Sequence, residues 1–438
     1  MASNRIKAKE KDAILQSLRA GVVPSIGLQH IQVGRNEEIK ALIKDIDRIN
    51  SGGSAIRFII GEYGAGKTFF LHLIRTISHQ KNLVTIHADL APDRRIHASA
   101  GQARNLYAEL MKNMATRTKP DGSALPNLVE KFISKAMNNA RISNKSVDSI
   151  IHDKLEKVKE MVGGYDFAEV INSYWEGHNT GNEELKSDSI RWLRAEFSTR
   201  TDARNALGVR TIIDDTNVYD QLKLLALFVQ IAGYDGLMIG LDEMVNLYKL
   251  NSGVARRNNY EQILRILNDC LQGNVSGFGF ILNGTPDFMM DTRKGLYSYD
   301  ALQTRLAENR FAAVAGVRDL SGPLIRLNNL QPEDIYILLK NIRHVFAEGV
   351  QSDYLIPDEA LEAFLKHCQK QVGEAYFQTP RNTIRAFVDL LSILEQSPNL
   401  DWKQLLGAVE IEHDKGQKLS DLEEVIDNED DELSNFSL

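Results

Sequence analysis

The chain has 438 residues, 43% hydrophobic and 25% charged, with a formal net charge of −7, a globular composition with room for two or three compact units. No apolar run approaches the roughly 18 residues of a membrane span, and the charged N-terminal segment lacks the apolar stretch of a signal peptide. Two cysteines, Cys270 and Cys368, are too few for a disulfide framework, so a reducing, cytoplasmic setting without a membrane is expected. Residues 421–438 carry eight acidic residues and no Lys or Arg, leaving the first 420 residues at +1. The body is therefore not a strongly basic nucleic-acid binder by composition, although a local basic face is open to it.

Residues 5–20 read as a helix. Asn36 stands where it could cap a second helix, with the apolar stripe Ile39, Leu42, Ile43 and Ile46. The segment "AIRFII" is apolar and β-branched enough for a buried strand, and "TFFLHLIRTIS" has helical spacing. Between them, Gly61-x-x-x-x-Gly66-Lys67-Thr68 matches the phosphate-loop pattern. Glycines let the backbone curl so that successive N–H groups point at phosphate oxygens, and the following helix adds its positive terminus. Lys67 then reaches the β- and γ-phosphates and the Thr68 hydroxyl ligates Mg²⁺. The nucleotide-binding set is Gly61, Gly64, Ala65, Gly66, Lys67, Thr68 and Phe69, and the cofactors expected are ATP and Mg²⁺.

A strand over Leu83–Leu90 follows. Residues 101–160 are rich in helix formers, and "SIRWLRAEFSTRTDARNALG" and "VYDQLKLLALFVQIAGYDG" also read as helical. The 175 residues between Lys67 and Asp242 exceed what a small phosphate-loop core needs, so a helical insertion over about 101–215 is expected. Its cationic residues Arg191, Arg194, Arg200, Arg204 and Arg210 make either a solvated helix face or a surface for DNA or a partner. The apolar run Leu237–Leu241 ends at Asp242-Glu243, as a buried parallel strand does at its chemical end. Asp242 is expected in the Mg²⁺ shell and Glu243 as general base on the attacking water. A third strand, Phe278–Leu282, leads to Asn283 and Thr285, each suited to orienting that water or to forming a turn. From Gln331 onward the pattern is helical, with Pro332, Pro357 and Pro380 at helix starts.

The stretches "LRAGVVPSIGLQHIQVGRNEEI", "FIIGEYGAGKTFFL", "SIRWLRAEF", "GYDGLMIGLDEMVNL", "NGTPDF" and "TPRNTIRAFVDLL" together resemble AAA+ ATPases, and more narrowly the ATP-binding proteins of BREX-type antiphage defence. The resemblance implies an α/β fold: an AAA+ type P-loop NTPase core with a parallel sheet, a long helical insertion and a C-terminal all-α lid. The implied division is 1–100 for N-terminal helices and the first part of the core, 101–215 for the insertion, and 216–328 for the second part of the core. The lid takes 329–415 and an acidic disordered tail 416–438. Gly34-Arg35 falls at the adenine-contacting position, Asn283 at the sensor position, and Arg381 at that of the arginine sensing the γ-phosphate. Arg305, with Arg310 as the alternative, falls where a neighbouring subunit's arginine finger would lie, which implies a homo-oligomer.

The implied function is ATP hydrolysis driving a motor or regulatory switch in a defence complex, with a helicase, methyltransferase or phosphatase-like protein as partner. Two other readings stand beside it: a nucleotide-dependent assembly scaffold with slow turnover, and a DNA-loading ATPase similar to transposition regulators. The chain turns acidic where replication-initiator-like members append a winged-helix domain, so the resemblance does not by itself imply duplex binding.

Overall fold

The structure, a computed structural model, describes residues 5–372 and 380–408. The expected acidic tail and the end of the expected lid beyond 408 lie outside the described residues. The described residues divide into two compact units: 34–62 with 66–328, and 5–33, 63–65, 329–372 and 380–408.

Helix α1 (Ala8–Ala20) belongs to the smaller unit, and the larger one begins with α2 (Asn36–Asn50). Asn36 is the first helical residue and its side chain makes no cap; Arg35, at φ 62°, takes the preceding position. The sheet consists of β1 (Ser54–Ile60), β2 (Leu83–Asp89), β3 (Gly236–Asp242), β4 (Phe278–Gly284) and β5 (Leu324–Arg326), in the order β2-β3-β4-β1-β5. Every pairing is parallel. The first four match the expected apolar runs, while three-residue β5 is too short to show a pattern. Strands β1, β3 and β4 are buried throughout, as parallel strands covered on both faces must be.

Helices cover the two faces. On one, Ile49 of α2 packs at Gly236 and Gly279, and α3 (Lys67–Gln80) presses Leu71 onto Gly240. A Cβ at Gly240 would lie 2.8 Å from Leu71 Cδ1, so the glycine lets α3 approach β3 closely. On the other face, one continuous apolar core runs from β1–β4 into the helices that separate β2 from β3. These are α4 (Gln102–Lys112), α5 (Leu125–Ser143), α6 (Val147–Lys159), α7 (Gly164–Thr180), α8 (Glu183–Leu193), α9 (Arg200–Leu207) and α10 (Val218–Ile231). Aromatic rings knit them together: Phe132 and Phe167 lie 5.1 and 5.6 Å from Phe228, and Trp192 lies 6.4 Å from Phe167. After β3 come α11 (Val245–Tyr248) and α12 (Gly253–Gln272), and after β4 come α13 (Pro286–Met290), α14 (Asp300–Leu306) and α15 (Arg310–Ala315).

In the smaller unit, α16 (Pro332–Phe346), α17 (Asp358–Val372) and α18 (Arg381–Gln396) begin at or just after the three prolines, and α19 (Trp402–Ala408) comes after them. Helix α1 packs along α18, where Arg19 lies 3.3 Å from Asp389 and donates to the Ser392 hydroxyl. Arg343, fully buried, donates to Asp358 and to the Ile356 carbonyl, tying α16 to α17.

One buried ion pair anchors β1. Arg57 donates Nε and Nη2 to the two carboxylate oxygens of Asp45 at 2.5 and 3.0 Å, and Nη1 to the carbonyls of Leu320 and Gly322. Removing one member leaves a buried charge unpaired. Asp45→Ala is therefore expected to cost about 3–5 kcal/mol in denaturant unfolding, and Asp45→Ala with Arg57→Met distinctly less. Equal losses in the single and double variants would contradict the pairing.

Candidate functional site

The parallel register brings the carboxyl ends of β1, β4 and β3 to one edge. Ile59 pairs with Asn283, Leu241 with Leu282, and Asp89 with Asp242. Backbone bonds continue past the strand ends: Gly61 N–H donates to the Gly284 carbonyl at 3.2 Å, and Met244 N–H to the Asn283 carbonyl at 3.1 Å. The phosphate loop, Asn283 and the Asp242-Glu243 pair are therefore neighbours by strand order.

Gly64 and Gly66 take φ of 83° and 81°, the left-handed region that glycine enters without strain. A Cβ at Gly66 would meet no atom within 4 Å, so this glycine is required by backbone conformation and faces open space. Lys67 Nζ donates to the carbonyls of Gly61 and Glu62 at 2.9 and 3.0 Å. Burial pushes its ammonium below the usual lysine value, against the opposing pull of Asp242 and Glu243. Thr68 Oγ1 donates to Asp242 Oδ2 at 2.8 Å, and Asp242 Oδ1 accepts from the Glu243 N–H at 2.8 Å. The hydroxyl and the carboxylate expected to share one cation are thus already in direct contact. Phe69 is half-buried beside them on the first turn of α3.

Glu243 sits at φ 56°, a left-handed conformation that costs a non-glycine residue about 1 kcal/mol or more. Burial, with the charge of Asp242 beside it, raises its carboxyl above the usual glutamate value. Such a group is a stronger base when ionised. Asn283 is buried at the end of β4, its Nδ2 donating to the Lys67 carbonyl at 3.3 Å while its Oδ1 has no partner. Whichever way the amide is turned, one end is left for a further partner. Thr285 accepts from the Phe288 N–H as the N-cap of α13, so the turn reading applies to Thr285.

The remaining expected residues lie elsewhere. Gly34 and Arg35 take φ of 60° and 62°; Arg35 donates to the Asn328 carbonyl and lies 3.8 Å from buried Glu38, which Arg318 also contacts at 2.8 Å. Its side chain ties the start of α2 to the chain after β5. Arg305, on α14, is exposed and donates to Asn268 Oδ1 and the Ala301 carbonyl; Arg310 opens α15 and is exposed. Neither joins the carboxylate cluster. Arg381 opens α18 in the smaller unit, where a Cβ at Gly21 would lie 3.0 Å from its Cδ. Of the arginines in the expected insertion, Arg191 pairs with Asp188 at 2.7 Å, Arg194 with Glu196 at 3.8 Å and Arg200 with Asp214 at 3.7 Å.

Sequence reasoning missed Asp89. It ends β2 in register with Asp242, and burial together with that neighbouring charge raises its carboxyl. The sequence showed an acidic residue closing a strand, but that this strand lies next to β3 comes from the fold. Asp89, Thr68 and Asp242 share a pocket of about 140 Å³ with His72, His87 and Arg94. Burial and the Arg75 charge push His72, His79 and His87 down to about 4, about 4 and about 3, so all three are neutral near pH 7.

A parallel α/β sheet with a glycine loop on one strand and a carboxylate pair ending another defines a fold of the P-loop nucleotide-binding class. The family described as BREX system ATP-binding protein BrxC/D matches residues 6–410. The chain belongs to that family, and so to a set of proteins assigned to BREX defence. No curated protein sequence matches it. Among the described residues, no helix is long and apolar enough to cross a membrane.

The three depressed histidines make stability pH-dependent. Their folded values lie below the unfolded value of about 6.5, so between the two the unfolded chain holds the extra protons. Stability is expected to fall as pH drops from 6.5 towards 4, with proton uptake on unfolding approaching three. His87→Gln should lower that uptake by about one. A flat stability profile over this range would contradict the burial of these rings.

Proposed function

We propose that the chain binds ATP with Mg²⁺ and hydrolyses the β–γ phosphoanhydride bond as the nucleotide-driven switch of a BREX complex. The observation that carries this reading is the Thr68–Asp242 contact, which joins the phosphate-loop hydroxyl to the strand carboxylate beside a raised glutamate. The donor set fits Mg²⁺, a hard cation that prefers oxygen ligands: the Thr68 hydroxyl would ligate it and Asp242 would complete its shell. Held by these two residues, the cation would supply positive charge against the charge that develops on the phosphates.

The chain's own residues account for the remaining roles. Loop N–H groups from Gly61 to Phe69 hold the phosphates, and Lys67 exchanges its carbonyl partners for phosphate oxygens. Glu243 accepts a proton from the attacking water, and the unpaired end of the Asn283 amide orients that water. Asp89 adds a third carboxylate beside the cation. We read the unit containing α16–α19 as the helical lid of an AAA+ protein and α4–α9 as its insertion. Arg381 is the proposed γ-phosphate sensor, Arg305 a finger acting on a second copy, and Gly34-Arg35 the adenine-side segment. Such a cycle does work only if the two nucleotide states bind a partner differently; other proteins of the defence system are the proposed partners.

Two substitutions test the reading. Lys67→Ala is expected to abolish ATP binding in calorimetry. Glu243→Gln is expected to keep ATP affinity and lower turnover by about 10²- to 10⁴-fold. Retained affinity in the first would remove the loop from the mechanism. Retained turnover in the second would remove Glu243 as base, and negligible turnover in the unsubstituted protein would favour a nucleotide-dependent scaffold.

A further inference from the structure

Of the five arginines of the expected insertion, Arg191, Arg194 and Arg200 lie within 4.0 Å of carboxylates, while the helix pair α5–α6 carries an excess of positive charge. Residues 125–159 contain seven Lys and Arg against four Asp and Glu. Glu130 and Asp148 are engaged outside this stretch, with Tyr174, His178 and Lys186 and with Trp175, whereas Asp153 pairs with Lys145 and Glu156 with His152 and Lys159 within it. Among the described residues, Lys131, Lys135 and Lys154 have no carboxylate oxygen within 4.0 Å.

Lys131 and Lys135 converge on the end of α10, and Lys154 lies on α6, which packs against both α5 and α10. Lys131 Nζ lies 3.4 Å from the Tyr234 ring centroid and 3.4 Å from the Gly233 carbonyl, and Lys135 Nζ lies 3.4 Å from the Ile231 carbonyl. A helix C-terminus offers only about half a negative charge, against three ammonium groups. Burial and the charge of Lys135 push both Lys131 and Lys154 below the usual lysine value, with Asp235 a partial counterweight for Lys131. The cluster is therefore under like-charge repulsion that an incoming anion would relieve.

We propose that the α5–α6 face is a docking surface for the phosphate backbone of duplex DNA, with Lys131, Lys135 and Lys154 as its charged centre. Lys131 and Lys135 are one helical turn apart, about 6 Å along the axis, which matches roughly two phosphates of one strand. Lysine is a point charge suited to backbone contact without base readout. The exposed large apolar residues of this region, Ile142, Val162 and Tyr165, lie at the helix ends. The cluster thus lacks the central apolar anchor that an acidic protein partner would use.

The test is binding of the full chain to a mixed-sequence duplex of about 30 base pairs, by fluorescence anisotropy, between about 50 and 200 mM salt. The unsubstituted protein is expected to bind without sequence preference and to weaken steeply with salt. Lys131→Gln with Lys135→Gln and Lys154→Gln is expected to bind at least about 10-fold more weakly at low salt, with a log–log salt slope shallower by about 2–3, near one per lysine. Lys135→Gln with Lys154→Gln keeps the Lys131 contacts to α10 and should flatten the slope by about 2; it decides the matter if the triple variant unfolds. Arg191→Gln with Arg200→Gln should leave affinity and slope unchanged. No duplex binding by the unsubstituted protein, an unaltered slope in the double lysine variant, or binding to a polyglutamate peptide in place of duplex would each overturn the proposal.

Discussion

The parallel register of β1, β4 and β3 is the constraint on which the rest of the larger unit depends. Strand β4 lies between the other two, pairing Ile59 with Asn283 on one side and Leu241 with Leu282 on the other. A slip of one residue would turn every side chain to the opposite face of the sheet, separating Thr68 from Asp242 and withdrawing Asn283 from Lys67. Burial on both faces of all three strands prevents such a slip. The chemical edge follows from packing, and the polar groups there are held by strands that cannot shift without exposing apolar surface.

Local conformations complete the site. Gly240 admits Leu71 and so lets α3 lie against β3, placing Thr68 within hydrogen-bond distance of Asp242. Glu243 turns through a left-handed conformation immediately after the strand, and its raised carboxyl follows from that burial beside Asp242. Strain and like charge are thus concentrated at the edge, while the Arg57–Asp45 pair fixes the buried flank of β1.

Much of this was legible in the sequence. The phosphate loop, the apolar runs of β1, β3 and β4 and the proline-marked helices carry local patterns that survive folding. What was not legible depends on contacts distant in sequence. Strand β5 has three residues and is defined by pairing with β1. Helix α1 packs on α18, more than 360 residues away, through Arg19, Asp389 and Ser392, which no local pattern announces. Arg35, expected at the adenine-contacting position, is engaged by Asn328 and Glu38. Among the arginines of the expected insertion, Arg191 and Arg194 have their acidic partners Asp188 and Glu196 within three residues in the sequence, whereas Arg200 meets Asp214 only in the fold. The lysines of α5 went unnoticed because Lys131 and Lys135 meet the end of α10 only in the fold. Asp89 gains interest only once β2 is seen beside β3.

The account's central claim is that Thr68 and Asp242 share one cation at the head of the phosphate loop. The most direct measurement is anomalous diffraction from crystals grown with Mn²⁺ and a non-hydrolysable ATP analogue. A single Mn²⁺ peak is predicted at about 2.1–2.2 Å from Thr68 Oγ1, beside the Asp242 carboxylate and touching the nucleotide phosphates. A nucleotide bound with its metal away from both residues would contradict the account.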